Sequence, residues 1–95
     1  MSALVIAEVI IRDPGAFEAY RTSVPAIVAA FGGEYIARGA MPEILEGNAP
    51  QRRVTIFRFP DLARAKAWYD SAEYRPMREL RERTTDSILK IVEGL

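Results

Sequence analysis

Apolar and polar positions change period several times along the chain. Residues 3–11 (ALVIAEVII) form a run rich in β-branched side chains that stops at Arg12-Asp13-Pro14-Gly15, predicting a strand and then a helix start. Asp13 suits the N-cap and Pro14 the first helical position, where a missing N–H costs little. Phe17, Tyr20, Val24, Ile27 and Phe31 then recur at alternating steps of three and four, the period of an amphipathic helix. Pro25 should kink that helix, because it removes one backbone donor and crowds the carbonyl one turn back. Gly32-Gly33 ends it. Glu34–Arg38 predicts a short second strand, residues 39–51 an irregular or bulged stretch, and Arg53–Phe59 a third strand. Pro60-Asp61 opens a helix to about Tyr69, with Leu62, Ala65 and Tyr69 on one face. Ser71 caps another to about Thr84, with Tyr74, Met77 and Leu80 as its apolar stripe. Ser87–Glu93 predicts the last strand.

This order is βαββαβ with the second helix broken in two. It predicts a single α+β domain over residues 1–95, with the ferredoxin-like arrangement of an antiparallel sheet and helices on one face. Such a sheet can leave its other face in water, and its strands then alternate between apolar and polar. The first strand does not. Ala3, Val5, Ala7, Val9 and Ile11 share one side, and Leu4, Ile6, Glu8 and Ile10 the other. In the third strand Val54 and Ile56 lie opposite Thr55, Phe57 and Phe59. Leaving Leu4, Ile6, Ile10, Val54 and Ile56 wet forfeits roughly 1.5–3 kcal/mol for each large side chain. A second copy laying its sheet on this one recovers that term, so a homodimeric α/β barrel is expected. The alternative is a short-stranded monomer with some exposed apolar surface.

Composition narrows the chemistry. The 95 residues carry 13 basic and 13 acidic side chains, a balance that argues against nucleic acid as a partner. With no Cys and no His, thiolate nucleophiles, iron–sulfur clusters, thiolate zinc sites, imidazole bases and His-ligated haem are all excluded. No metal-ligand spacing stands out, and no cofactor is expected. The apolar run at residues 3–11 is too short to span a bilayer and has no basic flank, so neither membrane insertion nor export is expected, and a cytoplasmic location follows.

Several residues could carry a site. Glu8 and Arg58 share the face expected to look into the barrel, with Arg38 and Lys90 joining them if the phase of their strands allows. A carboxylate and a guanidinium in a semi-dry cavity could bind or orient a polar ligand. They equally suit a mutual ion pair buried at a subunit interface. Tyr20, Trp68, Tyr69 and Tyr74 could rim a pocket mouth and stack on a flat ligand, or could be core aromatics at helical spacing. Ser71 is a helix cap in a candidate pocket region, without a usual base to make it a nucleophile. Arg75, Arg78, Arg81 and Arg83, interleaved with Glu79 and Glu82, read as a solvated face.

One further pattern is recognisable. Tyr20 and Pro25, then Phe31-Gly32-Gly33-Glu34-Tyr35, Arg38-Gly39, Glu46-Gly47, Phe59-Pro60, the segment Ala65-Lys66-Ala67-Trp68-Tyr69-Asp70-Ser71-Ala72-Glu73-Tyr74 and Gly94 together resemble the DUF1330 family. These are small bacterial proteins of the dimeric α+β barrel superfamily with no assigned general function. The chain departs from the family pattern at Ala40, where a second Gly is usual. It departs again at Arg58-Phe59-Pro60, where Glu-Phe-Pro is common, a charge reversal that bears on any activity the carboxylate serves. The resemblance implies a homodimer with a cavity between sheet and helices that takes a small organic ligand. The superfamily also contains cofactor-free monooxygenases and isomerases, so a cofactor-independent enzyme (monooxygenase, isomerase or lyase) acting on a flat organic or carbonyl substrate is the second reading. In it Arg38 steadies an oxyanion, a Tyr or Trp stacks on the substrate and Glu8 moves a proton. A plain dimerisation module is the third.

Overall fold

The computed structural model describes residues 1–95. It contains β1 (Ala3–Ile11), α1 (Pro14–Ala30), β2 (Glu34–Ala40), β3 (Arg53–Phe59), α2 (Leu62–Tyr69), α3 (Arg75–Thr84) and β4 (Thr85–Glu93). The four strands form one antiparallel sheet in the order β2-β3-β1-β4, so the first and third strands occupy its centre. All three helices lie on one face. The molecule is a slab of 33 × 32 × 16 Å, two layers thick, as a ferredoxin-like fold requires.

Local chemistry sets the ends of the elements. Asp13 caps α1 by accepting from Ala16 N at 3.1 Å, and Asp61 caps α2 by accepting from Arg64 N at 2.7 Å. α1 ends where Gly32 N and Gly33 N donate to Ala29 O and Val28 O, both at 2.9 Å, with Gly32 at φ 80°. Gly33 is required for another reason. A Cβ there would stand 2.6 Å from the Phe59 ring and 2.7 Å from Val28 Cγ1, so α1 could not close on the sheet.

β2 and β4 each run two residues longer than expected, to Ala40 and from Thr85, and the start of α3 and the effect of Pro25 differ as well. Ser71 does not start α3, which begins at Arg75; it pins the corner before it. Its Oγ donates to Trp68 O at 2.8 Å and accepts from Tyr74 N at 3.1 Å. Pro25 leaves α1 a single helix spanning residues 14–30. Its effect falls on one carbonyl, described below.

The core lies between the helices and the inner sheet face. Ala3, Val5, Phe57 and Phe59 meet Val24 and Val28 of α1, Ala65 and Trp68 of α2, and Tyr74. Trp68 is wholly buried at its centre, its ring 4.2 Å from that of Tyr74, 5.3 Å from Phe57 and 5.5 Å from Phe59. The outer sheet face has no such cover. Leu4, Ile6, Val54 and Ile56 are half-buried by their neighbours alone, and Ile88 and Val92 are 44% and 48% exposed. An apolar sheet face of this extent is what the alternation in β1 and β3 predicts.

Candidate functional site

A cleft of about 820 Å³ opens between the sheet and the first turns of α1. Ala7, Val9 and Phe17 give it an apolar floor, Tyr20 and Tyr35 give it aromatic walls, and Arg21, Arg38, Arg53 and Arg81 bring charge to it.

Arg38 reaches this cleft through an irregularity in β2. Tyr35 pairs with Phe57 on the inner face, but the register to β3 shifts between Tyr35 and Ala37, and again before Ala40. A single extra residue reverses the alternation. Ala37 therefore pairs opposite Ile56 of the outer face, and Arg38 turns inward. Gly39, at φ 70°, lies at the second shift, and its N–H donates to Thr55 Oγ1 at 2.9 Å. Once inside, Arg38 Nη2 donates to Arg21 O at 2.9 Å. That carbonyl lies four residues before Pro25, whose missing N–H leaves it without its helical donor. Pro25 thus frees the acceptor that anchors Arg38, a coupling invisible to a local reading of either residue. The Arg38 guanidinium also lies 5.0 Å from the centre of the Tyr35 ring.

Arg81 forms the back of the site. Its charged neighbours predict a solvated arginine face, yet it is only 5% exposed. The signal was present in the spacing, because Tyr74, Met77, Arg81 and Thr84 continue one stripe at steps of three, four and three. Packing of α3 against α1 buries that stripe. Arg81 Nη1 donates to Ser87 Oγ, while its Nε has no partner.

The remaining candidates divide. Tyr20 lines the cleft, and its hydroxyl is 2.7 Å from that of Tyr74, which is fully buried behind it. Trp68 belongs to the core, and its Nε1 has no hydrogen-bond partner. Tyr69 sits outside the cleft, under the Arg78 guanidinium at 4.3 Å. Ser71 is occupied as a corner pin. Glu8 and Arg58 lie on the outer face, where Glu8 pairs with Lys90 at 3.1 Å and Arg58 with Glu34 at 3.1 Å. They do not pair with each other: β1 and β3 run antiparallel, and Glu8 stands opposite Val54 and Arg58 opposite Leu4. The sheet itself separates both from Arg38. Tyr20 and Arg38 are thus the two candidates that line the cleft.

Burial pushes the Tyr20 hydroxyl well above its ordinary value near 10, and the neighbouring Tyr74 adds to the rise; burial likewise raises Tyr35, against the opposing pull of Arg38. Above pH 10 the unfolded chain loses these protons while the folded chain keeps them, so rising pH favours unfolding. Stability should therefore be flat from about pH 7 to about pH 9 and then fall by about 1.4 kcal/mol per pH unit for each such tyrosine, the melting temperature falling with it. Tyrosinate absorbance should show late ionisation that Tyr20→Phe partly removes. Ordinary ionisation of every tyrosine in the intact fold would contradict this placement.

The architecture and the cleft define a ferredoxin-like α+β protein with a basic, half-apolar pocket beneath its first helix. The chain belongs to the family described as Domain of unknown function (DUF1330), which it matches over residues 2–95. No curated protein matches it. Among solved structures it is similar to a protein of unknown function from Rhodopseudomonas palustris, at 20% identity over 99% of this chain and 82% of that one, with a TM-score of 0.79. The cofactor-independent oxygenase SnoaB of Streptomyces nogalater follows at 12% identity, 99% and 93% coverage and a TM-score of 0.71. A dimeric ferredoxin-like protein of unknown function from Jannaschia sp. is similar at 11%, 99% and 100%, and 0.69. At these identities the likeness is one of fold. No helix is long and apolar enough to cross a membrane.

Proposed function

We propose that the protein is a homodimer that binds a small organic ligand in the cleft between sheet and α1. The cleft carries this reading. Its volume of about 820 Å³ falls among ligand pockets, and it combines apolar floor, aromatic wall and a few fixed polar groups. The bare outer face supports the dimer, as does the similarity to a protein described as dimeric.

Binding without turnover is favoured over the oxygenase, isomerase or lyase reading by one observation. No Asp, Glu or His is among the sixteen residues that line the cleft. A proton-transfer step driven by a carboxylate would have to use Glu8, which faces the other side of the sheet. The Streptomyces oxygenase therefore lends this chain its fold and not a proton acceptor. A plain dimerisation module leaves the cleft unexplained.

The test is a titration of the isotope-labelled protein with two probes of one shape, 2-naphthoate and 2-naphthamide. Amide shifts are expected to move at Ala7, Val9, Tyr35 and Gly39. Val9→Phe, which fills the floor, should weaken binding of both probes roughly tenfold in a protein that still melts cooperatively. Shifts confined to the outer sheet face, or none at millimolar probe, would remove the pocket.

A further inference from the structure

Thirteen basic and thirteen acidic residues balance over the whole chain, but not at the cleft, which has four arginines on its walls and no carboxylate. Outside the cleft, where Arg12, Arg64, Arg75 and Arg83 likewise make no ion pair, Arg52 pairs with Asp86, Arg58 with Glu34 and Arg78 with Glu82. Of the cleft arginines, Arg21 alone does so, with Glu18 at 3.6 Å. The other three have neutral partners. Arg38 donates to the Arg21 carbonyl, Arg53 donates to the Gly39 carbonyl at 3.1 Å, and Arg81 donates to the Ser87 hydroxyl, its buried Nε donating to nothing.

We infer that the cleft binds a planar organic carboxylate, its charge met by Arg38, Arg53 and Arg81 and its ring system laid against Tyr20 and Tyr35. This rests on the reading of the cleft as a ligand site and names the class of ligand. Arg81 is buried without a counter-ion, beside the more exposed Arg38 and Arg53, and an anion among the three offsets their like charge and the hydration that Arg81 has lost. Guanidinium forks match the two oxygens of a carboxylate. They match phosphate as well, but half of the lining residues are hydrophobic, and a bare phosphate would leave that floor wet. Flatness suits the walls. Arg38 lies over the Tyr35 ring at 5.0 Å and Tyr20 stacks on Phe17 at 5.0 Å with 18° between the planes, so that a planar ring would extend layers already present.

Calorimetric titration of the full-length protein with 2-naphthoate and 2-naphthamide separates charge from shape. The carboxylate is expected to bind on the order of tenfold more tightly or better, as one charge-assisted hydrogen bond implies, with the advantage shrinking as salt rises. Arg38→Gln and Arg53→Gln should each shrink that advantage, the carboxylate losing more affinity than the amide. Both side chains are largely exposed, so the variants fold even if Arg81→Gln does not. Equal affinity for the two probes would overturn the carboxylate while leaving the pocket standing. Loss of both probes in Arg38→Gln would make Arg38 a structural residue and overturn its role. Displacement of naphthoate by inorganic phosphate at equal concentration would mean a simple oxyanion site and would overturn the planar ligand.

Discussion

Trp68→Ala should cost roughly 3–5 kcal/mol, a large part of the 5–15 kcal/mol that holds a small domain together. Trp68 is fully buried and touches the rings of Phe57 and Phe59 from the sheet and of Tyr74 from the corner before α3. Truncation opens a cavity at the point where α2, α3 and the sheet meet. Trp68→Phe should cost much less. It keeps a ring in the slot and removes an indole N–H that has no partner to lose. Urea unfolding followed by far-ultraviolet circular dichroism is the appropriate measurement, since the chain has a single Trp and the variants lose its fluorescence. A Trp68→Ala loss near 1 kcal/mol would show that the core is centred elsewhere.

Ile56→Lys should break the proposed homodimer. Ile56 and Ile6 are cross-strand partners in the middle of the outer sheet face, between the Glu8–Lys90 and Glu34–Arg58 ion pairs. A two-fold axis would place two new lysines in one apolar interface, each costing several kcal/mol when stripped of water. The dissociation constant should rise by about three orders of magnitude or more. On an isolated, solvated face the same substitution would be nearly neutral. Sedimentation velocity at micromolar protein decides between them: a wild-type dimer and a monomeric variant are expected. The wild-type melting temperature should also climb with concentration, which a monomer's does not. A wild-type monomer would leave the outer face without a partner.

The order of elements was legible because each signal is local. Asp13-Pro14 caps and starts α1, steps of three and four set its buried stripe, and Gly32-Gly33 stops it. The double-sided greasiness of β1 was legible for the same reason, since a strand's period can be read without its neighbours. The site was less so. Tyr20 and Trp68 were singled out together, yet one borders the cleft and the other is the centre of the core. Arg81 was hidden by its charged company: Glu79, Glu82 and Arg83 around it do face water, and charge was given more weight than its place on the stripe with Tyr74 and Met77.

By itself, the chain's sequence determined the strands and helices, the apolar character of both sheet faces and the absence of imidazole and thiol chemistry. The tertiary structure decided which charges meet. Register between β2 and β3 depends on a bulge whose cost and benefit lie in the partner strand, and that bulge alone moves Arg38 from the outer face to the cleft. Glu8 and Arg58, opposite in charge and on one face, are separated by the antiparallel register of β1 and β3 and given other partners. Side-chain period is a property of one segment, whereas the meeting of side chains across segments is fixed by pairing and packing, which no single stretch of sequence encodes.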